Sequence, residues 1–453
     1  MIGIYLLSEI AKRCGGELIG DDVEIYSFST DTRTMSRGDA FVALKGKNFD
    51  GNDLALDAVK KGAAAIIASR KISSDLPMLY VKDSLHALAT ISRINRERSS
   101  AKVIGITGSQ GKTTVKEMVG SILNCVGVTL ITPKNQNNTV GVPLTLFNLT
   151  EQHEYAVIEM GADRHGEIQF SADAAIPEIA LITNANEAHV EGFGSLQGIV
   201  KAKGEIIDAT FLNGKVILNY DDPNVDAWIE RAGERGIAKF SGLNPSANYF
   251  ASNICFGSEG TMKFVLNTPL GSQSISLDLL GRHNVLNAVA SAAVAMEAGA
   301  DIGQVKIGLE TVKPVSGRLF PLRGVNQCRV IDDTYNASPS SFRAAIDIFK
   351  HLPGIKVLVA GDMRELGARS KEYHTQVGEY AAISGIEKLW AFGEHSRHMV
   401  AAFGSGAKHF SSKDELISEC REAARRDFIF LIKGSRGSHM DSVVNKLKLA
   451  RRD

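Results

Sequence analysis

Apolar residues fall along this chain in short unbroken runs that stop at glycine or polar residues, with stretches of helical spacing between them. Val103, Ile104 and Ile106 form one run, which closes on GSQGKTT at residues 108–114. Val115, Met118, Val119, Ile122 and Leu123 follow at the spacing of an amphipathic helix. YAVIEMGA (155–162) and IALITNANEAH (179–189) repeat the run, predicting strands that lead to Glu159 and His189. Leu85, Leu88, Ile91 and Ile94 mark a helix ahead of the glycine-rich stretch, and LGRHNVLNAVASAAVAMEAGA (280–300) marks an alanine-rich one far beyond it. RVIDDTYNASP, KVLVAGDMRELG, KLWAFG and FIFLIKGSRG carry the same rhythm of strand and polar stop through the last third. Together these predict an α/β protein.

At 453 residues the chain exceeds one core, and ~150 residues per domain gives about three. The first 82 residues alternate short apolar runs with turns and predict a small α/β domain. KPVSGRLFP (313–321) is a Pro- and Gly-bearing break after a helix, which divides the remainder. The predicted domains are therefore 1–82, 83–312 with a mainly parallel sheet, and 313–453. Lys plus Arg equals Asp plus Glu at 51 each, so no global field favours nucleic acid or an anionic membrane. MIGIYLLSEIAKRC has no basic start and its apolar stretch stops at Leu7, too short for a signal peptide or membrane insertion, which predicts a cytosolic protein. Five cysteines without paired spacing argue against a zinc or redox motif.

The glycine-rich stretch carries the strongest chemistry. Strand, loop and helix occur in the order that lets backbone N–H groups grip phosphate oxygens, while Lys112 neutralises terminal phosphates and a hydroxyl reaches Mg2+. The spacing departs from the usual pattern, with Ile106 where a glycine is common and glycines at 105 and 108 instead. No N-K-x-D motif reads guanine, and the last domain lacks a G-x-G-x-x-G turn after a strand, which disfavours a dinucleotide cofactor. Ligands of parallel α/β sheets bind at the carboxyl ends of strands, so Glu159 is placed to hold Mg2+ on a nucleotide. His189 reads equally as a metal ligand or as a packed or solvated histidine. Lys201 and Lys203 start a helix where solvated lysines are common. Asn287 fits either an adenine edge or a plain surface position.

Ser29, Thr30, Asp31 and Arg33, with Lys45, Gly46, Lys47 and Asp50, read either as a ligand-facing edge or as solvated turns. TPKNQNNTVGVP (132–143) is a loop that Asn135, Gln136, Asn137 and Asn138 fill with donors and acceptors. In the last domain, strand ends gather Asp332, Asp333, Tyr335, Asn336, Asp362, Arg364, Lys433, Ser435 and Arg436 on one expected edge.

Taken in order, GSQGKTT, the NQNN loop, EMGA, NEAH, KAKGEI, LGRHN, SGRLF, DDTYNASP, GDMRELG and KGSR resemble the Mur ligases over essentially the whole chain. STDTR, EGFGS, GRLF, DDTYNASP, GDMRELG and KGSR together resemble the member that adds D-alanyl-D-alanine. The resemblance implies a UDP-substrate domain, a central ATP-binding P-loop domain and a C-terminal Rossmann-like domain. It implies ATP and Mg2+ as cofactors, UDP-MurNAc-tripeptide and D-Ala-D-Ala as substrates, and a monomer acting through an acyl phosphate. Residue by residue, it implies that Thr107, Gly108, Ser109, Gln110, Gly111, Lys112, Thr113 and Thr114 bind ATP with Asn287, Arg318 and Asp333. Thr113, Glu159, His189 and Lys203 would hold the metal, Lys203 as a carbamate, and Lys112, Glu159, His189 and Lys203 would serve catalysis. Ser29, Thr30, Asp31, Arg33, Lys45, Gly46, Asp50, Asn135 and Asn138 would take the UDP-substrate, and Asn336, Arg364, Lys433, Ser435 and Arg436 the dipeptide. The alternatives are a relative adding a single amino acid, a GTP-driven switch and a non-catalytic UDP-sugar binder.

Overall fold

The computed structural model describes residues 1–46, 48–186, 190–257 and 261–449. Its largest sheet has nine strands, and the phosphate-loop strand Lys102–Thr107 lies inside it between Tyr155–Glu159 and Ile179–Ile182, parallel to both. Side chains alternate across a strand, and here both faces are covered, which explains the unbroken apolar runs. Ile104, Ile106, Val157, Ile179 and Leu181 face one core with the helices Lys112–Leu123 and Arg282–Ala298. Val103, Ala156, Ile158, Ala180 and Ile182 face the other, beneath Glu167–Ala175 and Leu196–Asp208. The Arg282–Ala298 helix is buried nearly all round, and its alanines let it lie close against the helix that follows the phosphate loop.

Beyond Lys215–Asn219 and Gly236–Ser241 the sheet continues into Tyr249–Phe256, Met262–Thr268 and Gly271–Leu277, the last two pairings being antiparallel. The apolar-run pattern did not predict this extension. Its signal is alternation, with Phe264 and Leu266 buried on one side of a strand whose Lys263 is exposed.

The C-terminal sheet has six strands in the order Phe320–Arg323, Arg329–Asp333, Phe428–Lys433, Ile355–Gly361, Lys388–Phe392 and Ala407–Phe410, parallel except for the first pairing. Asp333, Gly361 and Lys433 thereby end side by side. In the N-terminal part, the five-stranded sheet sets Phe28–Ser29 parallel to Ala40–Val42, and a two-stranded ribbon pairs Tyr5–Leu6 with Glu24–Ile25. The helix Ser84–Glu97 contributes Leu88, Ile91 and Ile94 to the core of this N-terminal part, so the small sheet is covered by a helix that follows it in the chain.

Candidate active site

The phosphate loop sits where the connections leave its strand to opposite sides of the sheet, the position at which an α/β sheet opens a crevice. Two glycines are required there. Gly108 has φ +146°, and a Cβ on it would lie 2.0 Å from Thr183 Oγ1; Gly111 has φ +83°, and its Cβ would meet Asn287 Oδ1 at 2.6 Å. Asn287 is thus packed against the loop itself, and its amide donates to Asn284 Oδ1 at 2.9 Å.

The loop is stitched to the end of Ile179–Ile182. Thr183 Oγ1 donates to Gln110 O at 2.6 Å, Gln110 N to Asn184 Oδ1 at 3.0 Å, Ser109 N to Asn184 O at 3.0 Å, and Ser109 Oγ to Asn186 O at 3.0 Å. Lys112 Nζ donates to Gly108 O at 2.6 Å. Burial pushes the Lys112 pKa down, Glu159 and Asp163 oppose this, and Arg318 adds to it. Thr107 is fully buried, its hydroxyl donating to Met160 O at 2.8 Å, and Thr114 follows in the first turn of the helix.

Thr113 Oγ1 donates to Glu159 Oε1 at 3.0 Å and accepts from Arg318 Nη2 at 2.8 Å, which brings the hinge after residue 313 onto the loop. Asn137 Nδ2 donates to the same Glu159 oxygen at 2.7 Å. Glu159 Oε2 is buried with no hydrogen-bond partner among the described residues, and Lys116 Nζ stands 3.8 Å from it. A buried carboxylate oxygen without a hydrogen bond, beside a phosphate loop and a hydroxyl, is a donor set of the hard-oxygen kind that magnesium takes. Lys116 is itself fully buried, but Thr132 O and Lys134 O accept from it at 2.9 and 3.1 Å and Glu117 pairs with it at 2.9 Å.

Lys203 is 3% exposed and has no such acceptors among the described residues; its ammonium lies 5.4 Å from the Phe193 ring. Burial and then the Lys112 charge push its pKa down to about 7, with Asp163, Glu205 and Glu167 pulling the other way. His189 lies outside the described residues, as does Lys47.

Across the crevice, the C-terminal strand ends form an internally bonded frame. Lys433 Nζ donates to Asp333 Oδ2 at 2.6 Å and to Asn336 O at 3.0 Å, and Leu319 N reaches Asp333 Oδ1 at 3.2 Å. Ser435 Oγ accepts from Arg364 N at 2.9 Å and donates to Ala337 O at 3.3 Å. Asp332, which carries no predicted role, holds the hinge through Gly317 N at 3.0 Å. Asn336, Arg364, Ser435 and Arg436 line a cavity of about 240 Å3 with Tyr335, Ser338 and, from the central part, Asp163. Neither the Arg364 nor the Arg436 guanidinium has a hydrogen-bond acceptor among the described residues, although Arg436 stands 6.0 Å from the Tyr335 ring. Gln110 Nε2 donates to Ser338 Oγ at 3.3 Å and Ser340 Oγ at 2.6 Å, so the phosphate loop touches the wall of this cavity.

The N-terminal candidates cluster at the carboxyl edge of their sheet. Ser29 ends Phe28–Ser29, Thr30 follows half-buried, and Asp31 binds Arg33 through Nη2 at 2.6 Å, which holds the Asp31 pKa down to about 2. Lys45 and Asp50 bridge across Gly46 just after Ala40–Val42. Asn138 Oδ1 accepts from Gly141 N at 2.8 Å and so starts the helix Gly141–Leu146, while Asn135 is exposed in the same loop. Phe147, at that helix's end, stacks on Phe28 with centroids 5.5 Å apart, tying the asparagine loop to the small sheet. Sequence reasoning missed the roles of Asn137, Thr183, Asn184 and Asn186. The three asparagines lie in amide-rich stretches after strands, and Thr183 carried no such signal.

The chain matches the models for the Mur ligase family catalytic domain over residues 24–119, the Mur ligase middle domain over 106–295 and the Mur ligase glutamate ligase domain over 317–436. It is 43% identical over 444 residues to the UDP-N-acetylmuramoyl-tripeptide--D-alanyl-D-alanine ligase of Escherichia coli K12, with 98% of each chain covered. It belongs to the Mur ligase family. Among solved Mur ligases, the MurF of Acinetobacter baumannii superposes with a TM-score of 0.92 at 34% identity over 98% of both chains. The MurF of Thermotoga maritima, crystallised with ADP, gives 0.84 at 30% identity, covering 93% of this chain and 96% of that one. The three-part Mur ligase architecture, with its central P-loop sheet and Rossmann-like C-terminal sheet, is the one described above.

Proposed function

We propose that this Mur ligase joins D-alanyl-D-alanine to UDP-MurNAc-tripeptide at the expense of ATP, giving UDP-MurNAc-pentapeptide, ADP and phosphate, the last cytoplasmic step of peptidoglycan precursor peptide assembly. The observation that carries the reading is the contact between Gln110 of the phosphate loop and Ser338 in the wall of the cavity lined by Arg364, Ser435 and Arg436. On this reading a phosphoryl-transfer loop and the pocket for a small amine carrying a carboxylate would share one wall.

Residues 1–82 would hold the UDP end of the substrate, with Ser29, Thr30, Asp31, Arg33, Lys45, Gly46 and Asp50 at the edge of the small sheet and Asn135 and Asn138 beside it. Residues 83–312 would hold ATP along 107–114, with Asn287 and Arg318 bordering the loop, and residues 313–453 the dipeptide. A carboxylate is a poor acylating agent, so the terminal carboxylate of the tripeptide first attacks the γ-phosphorus and the bond to ADP breaks. Lys112 stabilises the charge on the equatorial oxygens. Magnesium bound at Glu159 and Thr113, with His189 and a carbamate on Lys203, would neutralise further phosphate charge. Arg364 and Arg436 suit the dipeptide carboxylate, since guanidinium groups match carboxylates in two-point geometry. The amine of the dipeptide then attacks the acyl carbon, the C–O bond to phosphate breaks, and the amine proton is lost. Asp333 and Lys433 keep the strand ends in place around that step.

Among the described residues no helix is long and apolar enough to cross a membrane. The test is phosphate release from ATP and Mg2+ with UDP-MurNAc-tripeptide, with and without D-alanyl-D-alanine. Release that needs both substrates and yields pentapeptide is expected; release with a single amino acid instead would overturn the substrate assignment.

A further inference from the structure

We infer that His374, which has no part in the chemistry above, is a positioning residue that sets the Arg364 loop for the incoming amine substrate. The inference rests on the dipeptide reading of the cavity. His374 is fully buried in the helix Ser370–Ile383, beneath the loop 362–366 that follows Ile355–Gly361. Its Nδ1 stands 2.7 Å from Ser370 O, which can only accept, so the ring proton lies on Nδ1. Nε2 is therefore a lone-pair acceptor, and the Met363 amide donates to it at 3.0 Å.

That bond is one of three that fix consecutive backbone groups. Asp362 O accepts from Ser435 N at 3.0 Å, Met363 N is held by His374, and Arg364 N donates to Ser435 Oγ at 2.9 Å. The following residue, Glu365, has φ +63°, a left-handed conformation that a glutamate keeps only when its neighbours fix it. Arg364, Glu365 and Leu366 all line the cavity, and the guanidinium of Arg364 lies across Gly437 on the opposite wall. Burial lowers the His374 pKa, the bond to Ser370 O and the Asp362 charge oppose this, and His395 and His398 reinforce it, which keeps Nε2 unprotonated and able to accept. No other side chain among the described residues takes the Met363 amide. Losing the acceptor leaves that amide unsatisfied in a buried site, and the loop must shift to recover a partner.

The experiment compares His374→Gln, whose side-chain oxygen reaches the Nε2 position, with His374→Asn, which reaches only the Nδ1 position. Full-length wild type must first show turnover that depends on D-alanyl-D-alanine; its absence would sink the functional reading and this inference with it, whereas the outcomes below bear on His374 alone. In a competent enzyme, His374→Asn is expected to raise the KM for D-alanyl-D-alanine at least fivefold, with the KM for ATP within twofold of wild type, and His374→Gln is expected to keep both. Unchanged dipeptide KM in the Asn variant, or equal losses for Gln and Asn across all substrates, would overturn the inference. Long-range 1H–15N spectra of histidine-labelled wild type give a check that needs no folded Asn variant: the ring signal lost in His374→Gln should be the Nδ1–H neutral form at neutral pH, and an Nε2–H form would overturn it.

Discussion

Two buried lysines in the central domain, one on the helix Lys112–Leu123 and one on Leu196–Asp208, have opposite surroundings. Lys116 spends its protons on two carbonyl oxygens and Glu117, whereas Lys203 has a ring face and the repulsion of Lys112.

 The difference teaches how to read a buried cation. A lysine whose donors are all satisfied is part of the frame, and one that is buried without acceptors has its charge disfavoured and its amine made available for chemistry. The same contrast separates the two edges of the crevice. At the C-terminal edge Lys433 is bonded to Asp333, and Ser435 to Arg364 N and Ala337 O, while at the central edge Glu159 Oε2 has no hydrogen-bond partner among the described residues.

The largest effect is expected at Lys112. Lys112→Ala should lower kcat by at least about a thousandfold, a loss on the order of 4 kcal/mol of transition-state stabilisation, and a near-normal rate in a steady-state assay would remove the phosphate loop from the mechanism. Lys203→Ala comes next: turnover should be lost and partly restored by added short carboxylates, and an unaffected variant would show that the buried amine has no catalytic use. Stability sharpens the point. With a folded pKa of about 7 against an ordinary value of 10.5, the unfolded chain binds the extra proton between those values. The burden that Lys203 places on folding is therefore full below pH 7 and fades as pH rises toward 10.5. In urea titrations, the stability gained by Lys203→Met over wild type should shrink between pH 7 and pH 10. The smallest effects compare hand with frame. Arg364→Ala should raise the dipeptide KM roughly tenfold, about 1.4 kcal/mol, with little change in thermal midpoint, whereas Ser435→Ala should cost about 1 kcal/mol of stability through the lost loop bonds.

Much of this was legible in the chain. The strand runs at 103–106, 156–158 and 179–182 could be read because both faces of the sheet are covered, and the phosphate loop because its strand and helix flank it. The candidate residues at the C-terminal strand ends could be placed on one edge, but not sorted: whether Ser435 meets substrate or Arg364 N depends on a bond across 71 residues. Asn137 and Asn184 were hidden for the same reason, since hydrogen bonds between distant segments leave no periodicity. The strands Tyr249–Phe256, Met262–Thr268 and Gly271–Leu277 were missed because they mix buried and exposed positions, where the strands around the phosphate loop run unbroken.

The bond from Lys112 to Gly108 O has a further consequence. The loop's shape is held by its own lysine and by Thr183 and Asn184, so its conformational entropy is lost during folding and not when a nucleotide arrives. Affinity for phosphate then depends on an exchange of acceptors at one ammonium, and a nucleotide with fewer phosphates would find the loop already shaped while giving Lys112 less reason to turn away from its own backbone.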